Sequence, residues 1–263
     1  MSAKWLWLIL TGFIAIVFSG SLVHLITETW WFESVGFADV FWTRLRWQGA
    51  IALLCFVVWW LILFLNYAIA QRFTRERPLR IVQNSQWDPY LPSLIRYVSL
   101  GLITLLALAA AINGAETWQD VLKFIHPVDF GAQDPLYGRE VSFYVFRLPL
   151  FESLHRATAE LIVWSLVVSA GIYGVKGEIR PDLGWKYFLT GEVKTHFRVL
   201  LAGLAVILAL GFWLSSYDLL YSPAGVVFGD SYTAVNARMQ AYVVMGFITL
   251  AHGVLFVSSL LLL

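Results

Sequence analysis

The stretch DPLYGREVSFYVFRLPLFESL, residues 134–154, mixes two kinds of residue that rarely share one segment. Phe143, Tyr144, Val145, Phe146, Leu148, Leu150 and Phe151 are apolar enough to be buried. Asp134, Arg139, Glu140, Arg147 and Glu152 forbid a simple membrane span. A segment of this kind suits the boundary between lipid and water, with aromatics towards apolar surroundings and charges towards solvent. That reading needs long apolar runs on either side.

The chain supplies them. Of its 263 residues, 59% are hydrophobic and only 13% charged, with a mean hydropathy of +0.72. A soluble domain has about 25% charged residues, so this composition leaves too little polar surface to cover a soluble fold. Crossing a bilayer takes about 20 mostly apolar residues. Six stretches are long enough: 5–26, 49–70, 94–114, 158–175, 197–217 and 239–262. The expected fold is an all-α polytopic transmembrane bundle filling residues 1–263, with interfacial amphipathic segments on the outer side. The first run resembles a secretory signal at Ser19-Gly20-Ser21, but it carries a single lysine before a run that continues past the usual signal length, and it reads as a retained anchor.

Charges assign the sides. Lys4 and loops 71–93 and 176–196, with the adjoining span ends, hold 11 of the 18 basic residues and 5 of the 17 acidic ones, a balance of +6. Loops 27–48, 115–157 and 218–238, with Glu160 at the adjoining span end, hold the other 7 and 12, a balance of −5. Basic residues accumulate in the cytoplasm, so both ends of the chain are expected inside. Trp5, Trp7, Trp30, Trp31, Trp42 and Trp47 fall near span ends, as interfacial belts do. The expected location is the bacterial inner membrane, or the thylakoid membrane in a cyanobacterium. The final run, GVLFVSSLLLL, reaches residue 263 without a basic or polar tail, which suggests the front portion of a longer protein.

Arg72, Arg75, Arg77 and Arg80 form a basic patch beside the second span. They either enforce topology, the simpler reading, or hold anionic lipids on the cytoplasmic side at about 1 kcal/mol each. The net charge of +1 points to no nucleic-acid partner. The single cysteine, Cys55, excludes internal disulfides and thiolate clusters.

On the outer side, Phe143, Phe146, Leu150, Phe151 and Leu154 recur at helical spacing. Asp134-Pro135 is expected to cap and start a surface helix ending near Arg147, with Phe143 and Phe146 on its buried face and Arg139 and Arg147 in water. Pro149 suits a first helical turn, so a second helix should begin there and become the fourth span. Glu152, Arg156 and Glu160 are then neighbours on one face. A strand reading of VSFYVF stays open, because aromatic and β-branched residues also favour strands. Phe143, Tyr144, Phe146, Arg147 and Asp134, with Tyr232 from the last outer loop, form the expected partner surface. In that loop Ser231 or Thr233 can cap the sixth span, and Gly225 and Gly229 let the chain turn.

Candidate chemistry inside the spans is sparse. Ionisable residues at bilayer depth are costly, and His252 is the one clearly mid-span. It is read either as a ligand for a porphyrin-type cofactor or as a neutral imidazole bonded to a neighbouring helix; the second is favoured, because His24, His126, His155 and His196 fall at other depths. Tyr217-Asp218 and Gly229-Asp230 echo intramembrane aspartyl proteases, but both lie at outer span ends and Val227 stands where that pattern has glycine. No zinc motif, GxSxG or Walker loop appears. No cofactor is assigned.

Three outer stretches carry a resemblance: the one quoted first, GFWLSSYDLLYSPAGVVFGDSYTAVNA, and WWFESVGFADVFWTRL. They are similar to signatures of uncharacterised protein family 0182, large multipass membrane proteins of actinobacteria, cyanobacteria and related bacteria. The resemblance implies about seven spans followed by a large extracytoplasmic region, and no reaction. Asp230 departs from the small residue expected before Ser-Tyr-Thr. The first functional expectation is a non-catalytic scaffold or assembly factor that presents an outer surface, binding another membrane complex. The rival is a transporter module, which would need polar groups near the midplane, where the spans offer Thr104 and His252. A pigment- or haem-binding protein ranks third.

Overall fold

A computed structural model describes residues 3–74, 90–179, 184, 189, 191–221, 232 and 234–261. The described chain is all-α: α1 (Ala3–Ser34), α2 (Ala38–Phe73), α3 (Leu91–Glu116), α4 (Trp118–Ile125), α5 (Leu148–Val175), α6 (Gly191–Tyr217) and α7 (Met239–Leu261). Among the described residues, β-pairing is confined to two isolated bridges, Gln133 with Glu140 and Ile179 with Leu189. Five helices are long and apolar enough to cross a membrane: Ala38–Phe73, Leu91–Glu116, Phe143–Val175, Gly191–Leu220 and Val235–Ser259. The sixth apolar run, 5–26, lies within α1.

Two compact units divide the chain, Met1–Ala50 and Ile51–Leu263. In the first, the stretch read as an outer loop, 27–48, is almost wholly helical. Helix α1 continues to Ser34, and α2 begins at Ala38. The turn between them is a Schellman motif: Phe37 N–H bonds Phe32 C=O at 2.9 Å and Gly36 N–H bonds Glu33 C=O at 3.1 Å. Gly36 has φ 78°, where a side chain would be strained. Nothing else in 27–48 breaks a helix. Charges there pair across the turn, Arg44 donating to Glu28, while its guanidinium lies 5.5 Å from the Phe41 ring centre.

In the second unit, α2, α3, α5 and α6 share a core of Trp59, Leu63, Tyr67, Ile103, Ala107, Leu161, Val168, Ile172, Tyr173 and Val193. Helix α7 packs on α6. Part of their seam is made of small residues, with the position of a Cβ on Gly253 only 3.2 Å from Ala205 Cβ, while Phe212 stacks on Tyr242 further along. Small residues let helix backbones approach where hydrophobic driving force is weak.

The stretch 134–154 differs from its sequence reading in two ways. Asp134-Pro135 starts a turn, not a helix, and helix begins at Val141. It then runs through Pro149 without a break, as a π turn at Phe143–Arg147 followed directly by α5. Proline clashes with the carbonyl four residues back and donates no hydrogen bond. The π turn widens the helix just before it, so that Leu148 N–H reaches the carbonyl of Phe143, five residues back. There is no separate surface helix up to Arg147, and VSFYVF is not a strand. The amphipathic surface helix is α4 instead, with Trp118, Val121 and Leu122 half-buried and Lys123 exposed.

Candidate functional site

At the end of the second unit that carries α4, residues 126–147 fold into a cap over the ends of α6 and α7. Its centre is Asp134. That carboxylate accepts the N–H groups of Leu136 at 2.8 Å, Tyr137 at 2.7 Å and Arg139 at 2.9 Å, and the hydroxyl of Tyr144 at 2.7 Å. Burial alone would push the Asp134 carboxyl up, but these bonds outweigh it and hold it below its ordinary value. Gly138, with φ 63°, closes the turn, and its N–H bonds Asp134 C=O at 3.1 Å. Glu140 then caps the helix, accepting the N–H groups of Ser142 and Phe130. Hydrogen bonds from Ser142, with those from Phe130, hold its carboxyl below the usual range.

This turn presents Tyr137 inward. Its hydroxyl donates to Ser216 C=O on α6 at 2.7 Å, and lies 3.6 Å from Met239 Sδ on α7. Its ring packs on Tyr217 at 4.9 Å, and Tyr217 meets Phe143 at 5.2 Å. Phe143, Tyr144, Leu148, Leu214 and Tyr217 form one buried cluster. Arg139 lies over it, 4.5 Å from the Phe143 ring centre and 5.4 Å from that of Tyr217. Phe143 and Tyr144, read from sequence as partner surface, are therefore core. Phe146 is half-buried and stacks on Phe130, and Arg147 is exposed. The sequence met Tyr217 only in the Tyr217-Asp218 pair and not as part of this cluster, because nothing local links it to a turn some eighty residues earlier.

Beside the cap, α2, α3, α4 and α5 enclose a cleft of about 440 Å³. Its deeper lining is apolar: Trp59, Cys55, Ala110 and Ala157. Gly114 lets α3 close on α2 here, since a Cβ would stand 2.4 Å from Cys55 Sγ. The rim is polar, with Asn113, Glu116, Asp120, Ser153, Arg156 and Glu160. Asp120 pairs with Lys123 at 3.5 Å. Asn113, Glu116, Ser153 and Glu160 have no hydrogen bond or ion pair with any described residue. The expected ion pairs on α5 do not form: Arg156 acts on Glu152 only through its field, the Glu152 carboxyl faces Asp218, and Glu160 is left out.

A third polar group is fully internal. His196 on α6 receives the Tyr173 hydroxyl at Nδ1, 2.8 Å away, and its Nε2 lies 3.0 Å from Asn66 Oδ1. Asn66 Nδ2 donates to Ile62 C=O at 2.8 Å and to Ser165 Oγ at 3.3 Å. The Ile62 carbonyl only accepts, which fixes the amide orientation, so Oδ1 faces His196 and Nε2 must carry the proton. Every bond in this chain then has a donor and an acceptor, and it ties α2, α5 and α6. The sequence reading placed His196 at a span end and passed over Asn66; a polar residue inside the run 49–70 was the available signal.

His252 is exposed, and its Nδ1 bonds Ile248 C=O in its own helix at 2.8 Å, not a neighbouring helix. Thr104 accepts Trp60 Nε1–H at 3.3 Å. Arg72 is exposed in the last turn of α2; Arg75, Arg77 and Arg80, like Gly225, Gly229, Asp230, Ser231 and Thr233, lie outside the described residues. Tyr232 is 84% exposed. Among the described residues, no three His, Cys, Asp or Glu side chains stand close enough to hold a metal ion.

Residues 5–263 match the sequence profile of an uncharacterised protein family, UPF0182. A UPF0182 protein of Trichodesmium erythraeum is 42% identical over 92% of this chain and 26% of its own length. Those of Moorella thermoacetica and Thermobifida fusca are 33% and 31% identical, over 96% and 89% of this chain and 28% and 23% of their own lengths. The chain thus spans about a quarter of the curated relatives it matches. No solved structure matches it.

Proposed function

The chain belongs to the UPF0182 family, as its outer motifs suggested, and we propose that it is the multipass membrane part of a bacterial scaffold. In this reading the bundle sits in the inner membrane with the N-terminus cytoplasmic and the cap outside. The partner is another membrane or envelope protein with an apolar patch. Support comes from the charge asymmetry of the loops and from the five apolar helices.

One observation carries the reading. The cap is braced by its own hydrogen bonds, yet it leaves apolar side chains outside, with Val128 66% and Phe130 56% exposed and Ile125 beside them. A surface already held in place loses little entropy on docking, and an exposed apolar patch marks an interaction site more often than a chance exposure. The test is a photocrosslinking residue at Val128 or Phe130 in native membranes, with Tyr97 of α3, 72% exposed, as the control. Discrete protein adducts from the cap but not from Tyr97 support the scaffold. Adducts to lipid alone from both sites overturn it.

The transporter reading draws on Asn66, Ser165, Tyr173 and His196 inside the bundle. These groups are bonded to one another, which favours a cross-brace between helices over a path for solute.

A further inference from the structure

The cleft beside the cap differs from the cap and from the His196 brace, whose polar groups bond one another. Its rim side chains Asn113, Glu116, Ser153 and Glu160 converge on a concavity while bonding no described residue. Ser153 on α5 is half-buried and its hydroxyl bonds no described residue, as also holds for Ser99, Ser169 and Ser215. Concave sites with an apolar floor and a few convergent polar groups are where ligands bind.

The lining also says which ligand. Glu116, Asp120 and Glu160 face Arg156 as the one cation of the lining, so the cleft favours positive charge. No three of its carboxylate and thiol groups approach closely enough to share a metal ion. Below the rim, Trp59, Ala110 and Ala157 offer an apolar floor that suits methylene groups, and the face of Trp59 attracts cations. At 440 Å³ the cleft holds a short aliphatic chain and its head group.

We propose that this cleft binds a primary ammonium on a short aliphatic stem, the nitrogen held by Glu160 and Glu116 and the stem lying on Trp59. That chemistry has two sources, a soluble diamine or polyamine and an ethanolamine phospholipid. The ammonium brings three donors, which match carboxylate acceptors and the Ser153 hydroxyl.

The experiment uses the purified full chain in neutral-detergent micelles and in nanodiscs. Calorimetric titration with 1,4-diaminobutane and spermidine tests the soluble source. Native mass spectrometry of nanodiscs containing ethanolamine, choline or glycerol phospholipids tests the lipid source, because a trimethylated choline nitrogen has no N–H to donate. Binding of the diamines, or selective retention of ethanolamine lipid over choline lipid, supports the site and names its source. In either case Glu160→Gln and Glu116→Gln should each weaken binding about tenfold, the scale of one charge-assisted hydrogen bond. Glu33→Gln, in the other compact unit, should leave it unchanged. Binding untouched by both glutamine variants, equal retention of choline lipid with no diamine binding, or saturable calcium binding in place of amines overturns the proposal.

Discussion

The cap and the cleft stand side by side at one end of the same unit, and both are rich in carboxylates. In the cap, Asp134 has four donors and Glu140 has two. In the cleft, Glu116 and Glu160 have none from the described residues. Acidic residues in neighbouring regions of one unit thus do opposite work. The first set replaces water with protein donors and makes a loop rigid; the second leaves its acceptors facing a hollow. Counting charges along the sequence cannot tell the two apart. Counting their hydrogen bonds can, and it separates residues whose loss unfolds the protein from residues whose loss leaves it folded but empty.

That separation breaks first where burial is deepest. Phe143 is 9% exposed and touches Tyr144, Tyr217 and Arg139. Phe143→Ala should cost about 3–5 kcal/mol, read as a large drop in melting temperature in detergent and early aggregation on size exclusion. A stable, monodisperse variant would mean the cap is not a core. Next comes the internal brace. Asn66→Ala strands the His196 Nε2–H and removes the donor to Ser165, so a loss of about 1–3 kcal/mol is expected. An unchanged melting temperature would show that these helices do not need their cross-tie.

The cap's carboxylates add a pH signature. Asp134 and Glu140 both have folded-state pKa values below the unfolded ones. A depressed carboxylate stabilises the fold above its unfolded pKa, and that contribution disappears as pH falls through the folded value. Stability should therefore be flat from pH 7 to 5 and decline below about pH 4, near the ordinary carboxylate range. Asp134→Asn should be less stable at pH 7 and lose less on acidification than the parent. Parallel acid curves for the two proteins would remove Asp134 from the account. The smallest effect belongs to the cleft: Glu160→Gln should shift stability by no more than about 0.5 kcal/mol, as chemical denaturation would read it. A large loss there would mean that Glu160 has a structural bond and that the contrast between the two regions is false.

Much of this was legible in the sequence, because the strongest signals were local. Apolar runs of bilayer length became helices. What failed was reading breaks from composition. Residues 27–48 looked like loop because Trp30, Glu33, Asp39 and Arg44 alternate in character, yet only Gly36 has a backbone reason to interrupt the helix. Pro149 reads as a start, and α5 does begin at Leu148 with Pro149 in its first turn; the unforeseen part is the π turn that leads into it without a break. The candidate sites were less legible still. Tyr137 meeting Ser216, and Asn66 meeting His196, are long-range pairings that leave no spacing in the chain. The free rim of the cleft is recognisable only once the engaged carboxylates are known.

Both regions lie on one end of the bundle, and the functional account requires that end to face outside the cytoplasm. The direct test is single-cysteine labelling in intact cells, with Cys55→Ser as background and an impermeant maleimide as the probe. Val128→Cys on the cap and Arg72→Cys at the far end of α2 are both exposed positions. The account predicts labelling at 128 in intact cells and at 72 only after permeabilisation. Labelling at 72 with 128 protected would put cap and cleft in the cytoplasm and contradict it.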